Sequence, residues 1–139
     1  RDEYLDGWKR SKADFINYKR EEDERIRALA EYARSAVLLR VLPILDNIER
    51  GLKEADLGGE SQVVKGFLQI VEQWREFLKQ EGIVEIEALG KQFNPEFHEA
   101  LGEVDRVEGG ESGIVVEEVE KGYTMNGKLL RPSKVKIAK

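Results

Sequence analysis

The single histidine of the chain, His98, stands next to Glu99, and a histidine beside a carboxylate is raw material for general-base work or for zinc binding. A helical zinc motif needs a second histidine four residues on, and that position holds Gly102. His98 is therefore expected to bond a loop backbone through its ring. Two acidic pairs, Glu21 with Glu22 and Glu117 with Glu118, lie in charge-rich runs that leave carboxylates solvated, with nothing to raise one pKa for acid catalysis. Gly109, Gly110 and Gly113 form a glycine-rich loop, but no Lys-Ser or Lys-Thr follows and no helix opens after it. A flexible turn is expected there, not a phosphate cradle. Cysteine is absent, which excludes disulfides and thiolate metal sites and fits a reducing compartment. No catalytic residue, cofactor site or metal site is expected, so the chain should act by binding.

The elements that would position a binding surface are legible in the hydrophobic spacing. Tyr4, Phe15, Ile26, Val37 and Ile48 recur at an 11-residue step, and Trp8, Ala30, Val41 and Leu52 follow on a neighbouring track broken at Lys19. An 11-residue repeat means about 3.67 residues per turn, close to an undistorted helix. From Arg1 to about Ala55 this predicts one long helix, roughly 80 Å at 1.5 Å per residue. Between Lys9 and Arg27 its other faces are almost wholly charged. A narrow apolar strip on such a rod calls for a second rod, so a homodimer is expected, with Phe15, Ile26, Val37 and Ile48 at the interface. After Ser35 the apolar arc widens, which calls for more than one neighbour. Pro43 predicts a kink or brief break, and Asp46, Asn47 and Glu49 are expected to point outward.

Asp56 to Ser61, with Gly58 and Gly59, predicts a stop, with Ser61 as the cap of a second helix over about Gln62 to Gln80. Val64, Phe67, Val71, Trp74 and Leu78 return there at steps of three and four, and Gly82 is expected as a left-handed cap. The short connection implies antiparallel helices, and two hairpins would close a four-helix bundle over Phe67, Val71 and Trp74. Gly66, inside this helix, signals either tolerated flexibility or close approach of a partner. Beyond Gly82 the period becomes alternating. Ile83, Val84 and Ile86 are strand-like, Phe93 to His98 reads as a compact loop or turn, and Ile114 to Val119 is β-branched. Asn126-Gly127 predicts a tight hairpin, and Val135 and Ile137 a last strand. The basic residues from Lys128 to Lys139 can pair with the acidic stretch Glu96 to Glu120. The expected architecture is α+β: residues 1–34 a charged dimerising stalk, 35–82 a helical hairpin contributing to a dimeric bundle, and 83–139 a small β head.

With 139 residues, 37% of them charged and a net charge of −5, no face offers the unopposed Lys and Arg that nucleic acid requires. No run of 18 apolar residues occurs, so no membrane span is expected. The chain opens on Arg1, which leaves open a preceding leader or tail.

The segment Leu42-Pro43-Ile44-Leu45-Asp46-Asn47-Ile48-Glu49-Arg50 closely resembles the GrpE family, the nucleotide exchange factors of DnaK-type heat-shock chaperones. So do Asp14-Phe15 and Asn17-Tyr18-Lys19-Arg20 on the rod, and Phe93-Asn94-Pro95-Glu96-Phe97-His98-Glu99-Ala100-Leu101, Gly122-Tyr123, Leu130-Arg131-Pro132-Ser133 and Val135-Lys136-Ile137 in the head. The resemblance covers nearly the whole chain. It implies a homodimer of long helices, a central four-helix bundle and two β heads, one of which enters the nucleotide cleft of a chaperone molecule and promotes ADP release during folding and heat stress. It further implies chaperone contacts at Val119 and Ile137, at Phe93 and Pro95 on the adjoining loop, and at Lys19 and Arg20 on the rod, with Gly66 as a bundle glycine needed for docking. One further basic position of the family falls on Ala28, where Arg27 is the nearest substitute. Rods that loosen on heating and the absence of enzymatic chemistry are also implied; a cytoplasmic location is expected, the mitochondrial matrix being equally compatible with the family. The competing reading is a coiled-coil structural or adaptor protein without exchange activity.

Overall fold

A computed structural model describes residues 1–55 and 62–139. The expected stop at Asp56 to Ser61 lies outside the described residues. The fold is α+β: two helices, α1 (Asp2–Ala55) and α2 (Gln62–Gln80), precede six short strands. The chain divides into two compact units, 1–38 and 39–139.

The first unit is a helical segment whose large apolar side chains, apart from Leu38 at its end, stay exposed, among them Trp8, Phe15, Ile26 and Val37. Its visible support is local. The Lys12 ammonium sits 5.1 Å from the Trp8 ring centre, Lys19 5.7 Å from that of Phe15, and Arg25 pairs with Glu22 at 2.7 Å, all across one helical turn.

In the second unit α1 continues through Pro43 without the break that proline predicted. Leu39 and Pro43 are both on an exposed face, where water can take up the carbonyl that loses its amide partner. Leu42 and Leu45 turn inward, as do Val71 and Leu78 of α2. Arg75 of α2 reaches Glu49 of α1 at 2.9 Å, and Asp46 to Lys53 share a cavity with Val64 to Arg75, so the two helices lie side by side here. At the end of α2, Gly82 donates its amide to the Lys79 carbonyl (3.0 Å) with φ at 80°, the left-handed cap that favours glycine.

Ile83–Glu85 (β1) pairs antiparallel with Tyr123–Met125 (β4), which turns through Asn126 and Gly127 into Lys128–Arg131 (β5). Both turn residues have positive φ, 49° and 82°, as the primed two-residue hairpin requires. The other sheet has the order β2-β6-β3, in which Ser133–Ala138 (β6) runs parallel to His98–Val104 (β2) and antiparallel to Val115–Glu120 (β3). Strand β2 was not expected. Its Glu99, Ala100, Gly102 and Glu103 are poor strand formers, and pairing with β6 overrides that preference. Ala88, Val115 and Val135 form the head core, with Phe93 and Ile137 packed against it. Gly122 is obligatory in this fold: a Cβ there would collide with the backbone of Pro132 and Ser133, whose Oγ accepts the Gly122 amide at 3.1 Å.

Candidate functional site

The head presents two unlike surfaces at opposite ends of the β3–β6 ladder. At one end Val115 faces Ile137 across the strands. Ile137 is half-buried, and Phe93 packs on the same core, with its ring 5.8 Å from that of His98. The turn that follows Phe93 is closed by the amides of Phe97 and His98, which donate to the Asn94 carbonyl at 3.0 and 2.8 Å. Pro95 stands exposed in this turn. The structure therefore brings Ile137, Phe93 and Pro95 into one neighbourhood.

Val119 belongs to the other end. The ladder slips between Val115 and Glu117 and again between Glu118 and Glu120, so Val116 and Val119 both fall out of register. Bulges re-aim side chains, and both valines remain over 40% exposed, lining a cavity of ≈640 Å³ between β3 and the two helices. Leu68 of α2 and Leu89 lie on the same cavity. The β-branched residues of Ile114 to Val119 showed a strand but not its two bulges, which no local residue preference announces.

On the helices, Lys19 and Arg20 are exposed, and so are Phe15, Ile26, Val37, Ile48, Phe67 and Trp74. Val71 is buried within its own chain, at 3% exposure. A Cβ on Gly66 would meet nothing within 4 Å, so no neighbour among the described residues requires the glycine.

Most of the chemistry-bearing residues are spoken for. The exception is Glu118, expected to be solvated but only partly exposed, with a buried Oε2 that has no hydrogen-bond partner among the described residues. His98 accepts the Asn94 amide on Nδ1 at 2.9 Å, as expected for a ring bonded to a loop backbone. Burial lowers its pKa from the ordinary histidine value, since the charged ring would lose both solvent and that bond. Glu117 pairs with Lys136 and Glu120 with Lys134, both at 3.5 Å, which joins the acidic and basic stretches within the sheet. Burial, with Glu85 nearby, raises the pKa of Glu118, although Lys121, Ser133 and Lys53 oppose the rise. Among the described residues no cluster of three or more His, Asp or Glu is placed to hold a metal ion, and no helix is long and apolar enough to cross a membrane.

Sequence reasoning missed the junction between head and helices. Asp46 and Glu49, expected to face outward, instead turn toward the head, with side chains 15% and 18% exposed. Their partners are Arg131 and Lys121.

The family model described as GrpE matches residues 1–139. The chain belongs to the GrpE family. Among relatives named "Protein GrpE", that of Bacillus pumilus is 40% identical over 129 residues, covering 92% of this chain and 69% of the relative. That of Bacillus subtilis is 39% identical over 129 residues, covering 92% and 68%, and that of Carboxydothermus hydrogenoformans 42% over 127, covering 91% and 64%. The chain spans about two thirds of the length of these GrpE relatives.

Proposed function

We propose that this chain is a nucleotide exchange co-chaperone of the GrpE family, which binds the ATPase domain of a DnaK-type chaperone and promotes ADP release in protein folding and heat stress. The family match over all 139 residues carries this reading. The work is conformational. A head that binds the open nucleotide domain more tightly than the closed, ADP-holding one shifts the population toward opening, and equal affinity for both would shift nothing.

The active form in this proposal is a homodimer in the cytoplasm, free of nucleic acid and membrane. Its support is the apolar stripe of Phe67, Ile70, Trp74 and Phe77 on α2, which stays exposed in the single chain together with Ile48 of α1. Phe15, Ile26 and Val37 extend the interface along the stalk, and Val71 backs it from within. Chaperone contacts are assigned to Val119, Ile137, Phe93 and Pro95 on the head, to Lys19 and Arg20 on the stalk, and to Gly66 in the bundle.

The test is release of labelled ADP from a DnaK-type chaperone. Addition of this protein should speed it severalfold or more, whereas an adaptor would bind and leave it slow. Val119→Asp should cut the acceleration about tenfold without loss of fold, since that side chain lies outside the head core.

A further inference from the structure

Arg131 ends β5 with its side chain only 10% exposed, and nearly every face of the guanidinium is engaged. Nε donates to the Lys121 carbonyl at 2.8 Å, Nη2 donates to both carboxylate oxygens of Asp46 at 2.9 and 2.7 Å, and Nη1 lies 3.7 Å from Glu120. The Tyr123 ring closes one side at 5.3 Å. One helical turn beyond Asp46, Glu49 takes Lys121 at 3.4 Å and Arg75 at 2.9 Å, and Lys121 also reaches Glu85 at 3.4 Å. The head thus grips α1 through two carboxylates spaced three residues apart, while β1 follows α2 directly through Gly82.

Such a joint is a poor way to gain stability. Taking both charges out of water costs about as much as their attraction returns, and an apolar pair of similar volume often does as well or better. The Asp46 carboxyl bears this out, because burial pushes its pKa above the usual aspartate value despite the opposing pull of Arg131. An ion pair with several directed hydrogen bonds does fix an angle, which interdigitated apolar side chains on a small contact do less well.

We infer that Asp46 and Arg131 are positioning residues that index the β head to the helical pair, so that the angle at which the head is presented is set by this ion pair. The inference rests on the exchange reading above for its consequence, since a head held at a fixed angle engages a cleft productively and a swivelling one binds without opening it.

The test uses the full chain, with spin labels on cysteines introduced at the exposed positions Gln73 and Glu99, in a chain without native cysteine. Unlabelled protein in excess isolates the distance within one chain. The double variant Asp46→Leu with Arg131→Met should melt no lower than the parent, yet broaden the distance distribution about twofold and lower the saturating rate of ADP release about tenfold. A distribution as narrow as the parent's, with release unchanged, would overturn the inference. Should the double variant fail to fold, Asp46→Asn decides by the same width, since it keeps the shape and one acceptor but loses the charge. A parent protein that does not speed ADP release defeats the exchange reading, and the label distances still decide the joint on their own.

Discussion

Residues 1–38 and the β head illustrate two ways of holding a chain in shape. In the first, every apolar anchor of the 11-residue repeat is left exposed, and the ion pair and cation–ring contacts described above reach no farther than one turn. In the head, Val115 and Val135 are 1% and 0% exposed, and charged groups find partners across strands. Local contacts of the first kind give only tenths of a kcal/mol each, so a long helix of this composition leans on something outside itself. The head carries its own core.

The contrast is tested most severely by Phe15→Asp combined with Ile26→Asp. If the stripe pairs with a second copy, four apolar side chains leave the dimer interface at about 1.5–3 kcal/mol for each fully buried one, and sedimentation should report dimer affinity weakened by at least ~100-fold. The head should melt as before, and an unchanged dimer would remove the stripe from the interface. Val135→Ala makes the opposite cut. Loss of two methyl groups from a fully buried site should cost the head roughly 2 kcal/mol, seen as a lower near-ultraviolet transition with helical content retained.

Acid should separate the regions more gently. Residues 1–38 contain no histidine, whereas His98 has a lowered pKa in the fold. Its contribution to stability is fully present above the ordinary value of about 6.5 and is lost as pH falls from there through the depressed value, because the unfolded chain takes up the proton first. Head stability should fall across that window, and His98→Gln should remove this part of the dependence. The smallest effect belongs to Lys19→Glu with Arg20→Glu. These exposed charges should change chaperone affinity only severalfold, at low salt, and not at high salt where the field is screened. An effect independent of salt would move the contact elsewhere.

What could be read beforehand divides along the same line. Asn126-Gly127 and Gly82 announced their positive φ because the constraint is local to the residue, and the α1 and α2 periodicities are statements about neighbours three and four positions away. Strand β2 escaped because His98 to Val104 takes its conformation from β6, about 35 residues later in the chain. Asp46 escaped for the same reason. A carboxylate on a helix reads as solvated by default, and its partner Arg131 lies 85 positions away. Val119 could be singled out only through the family resemblance, since the bulge that lifts it from the ladder has no signature in residue type.

The strand at the middle of the β2-β6-β3 sheet is the one made after both of its neighbours. On the ribosome, β2 and β3 emerge without the backbone each must pair with, and Val115 waits for Val135 to cover it. Such late, distant pairing is slow relative to helix formation. The growing polypeptide therefore keeps its head open until Ser133–Ala138 clears the exit tunnel, well after both helices have been free to form.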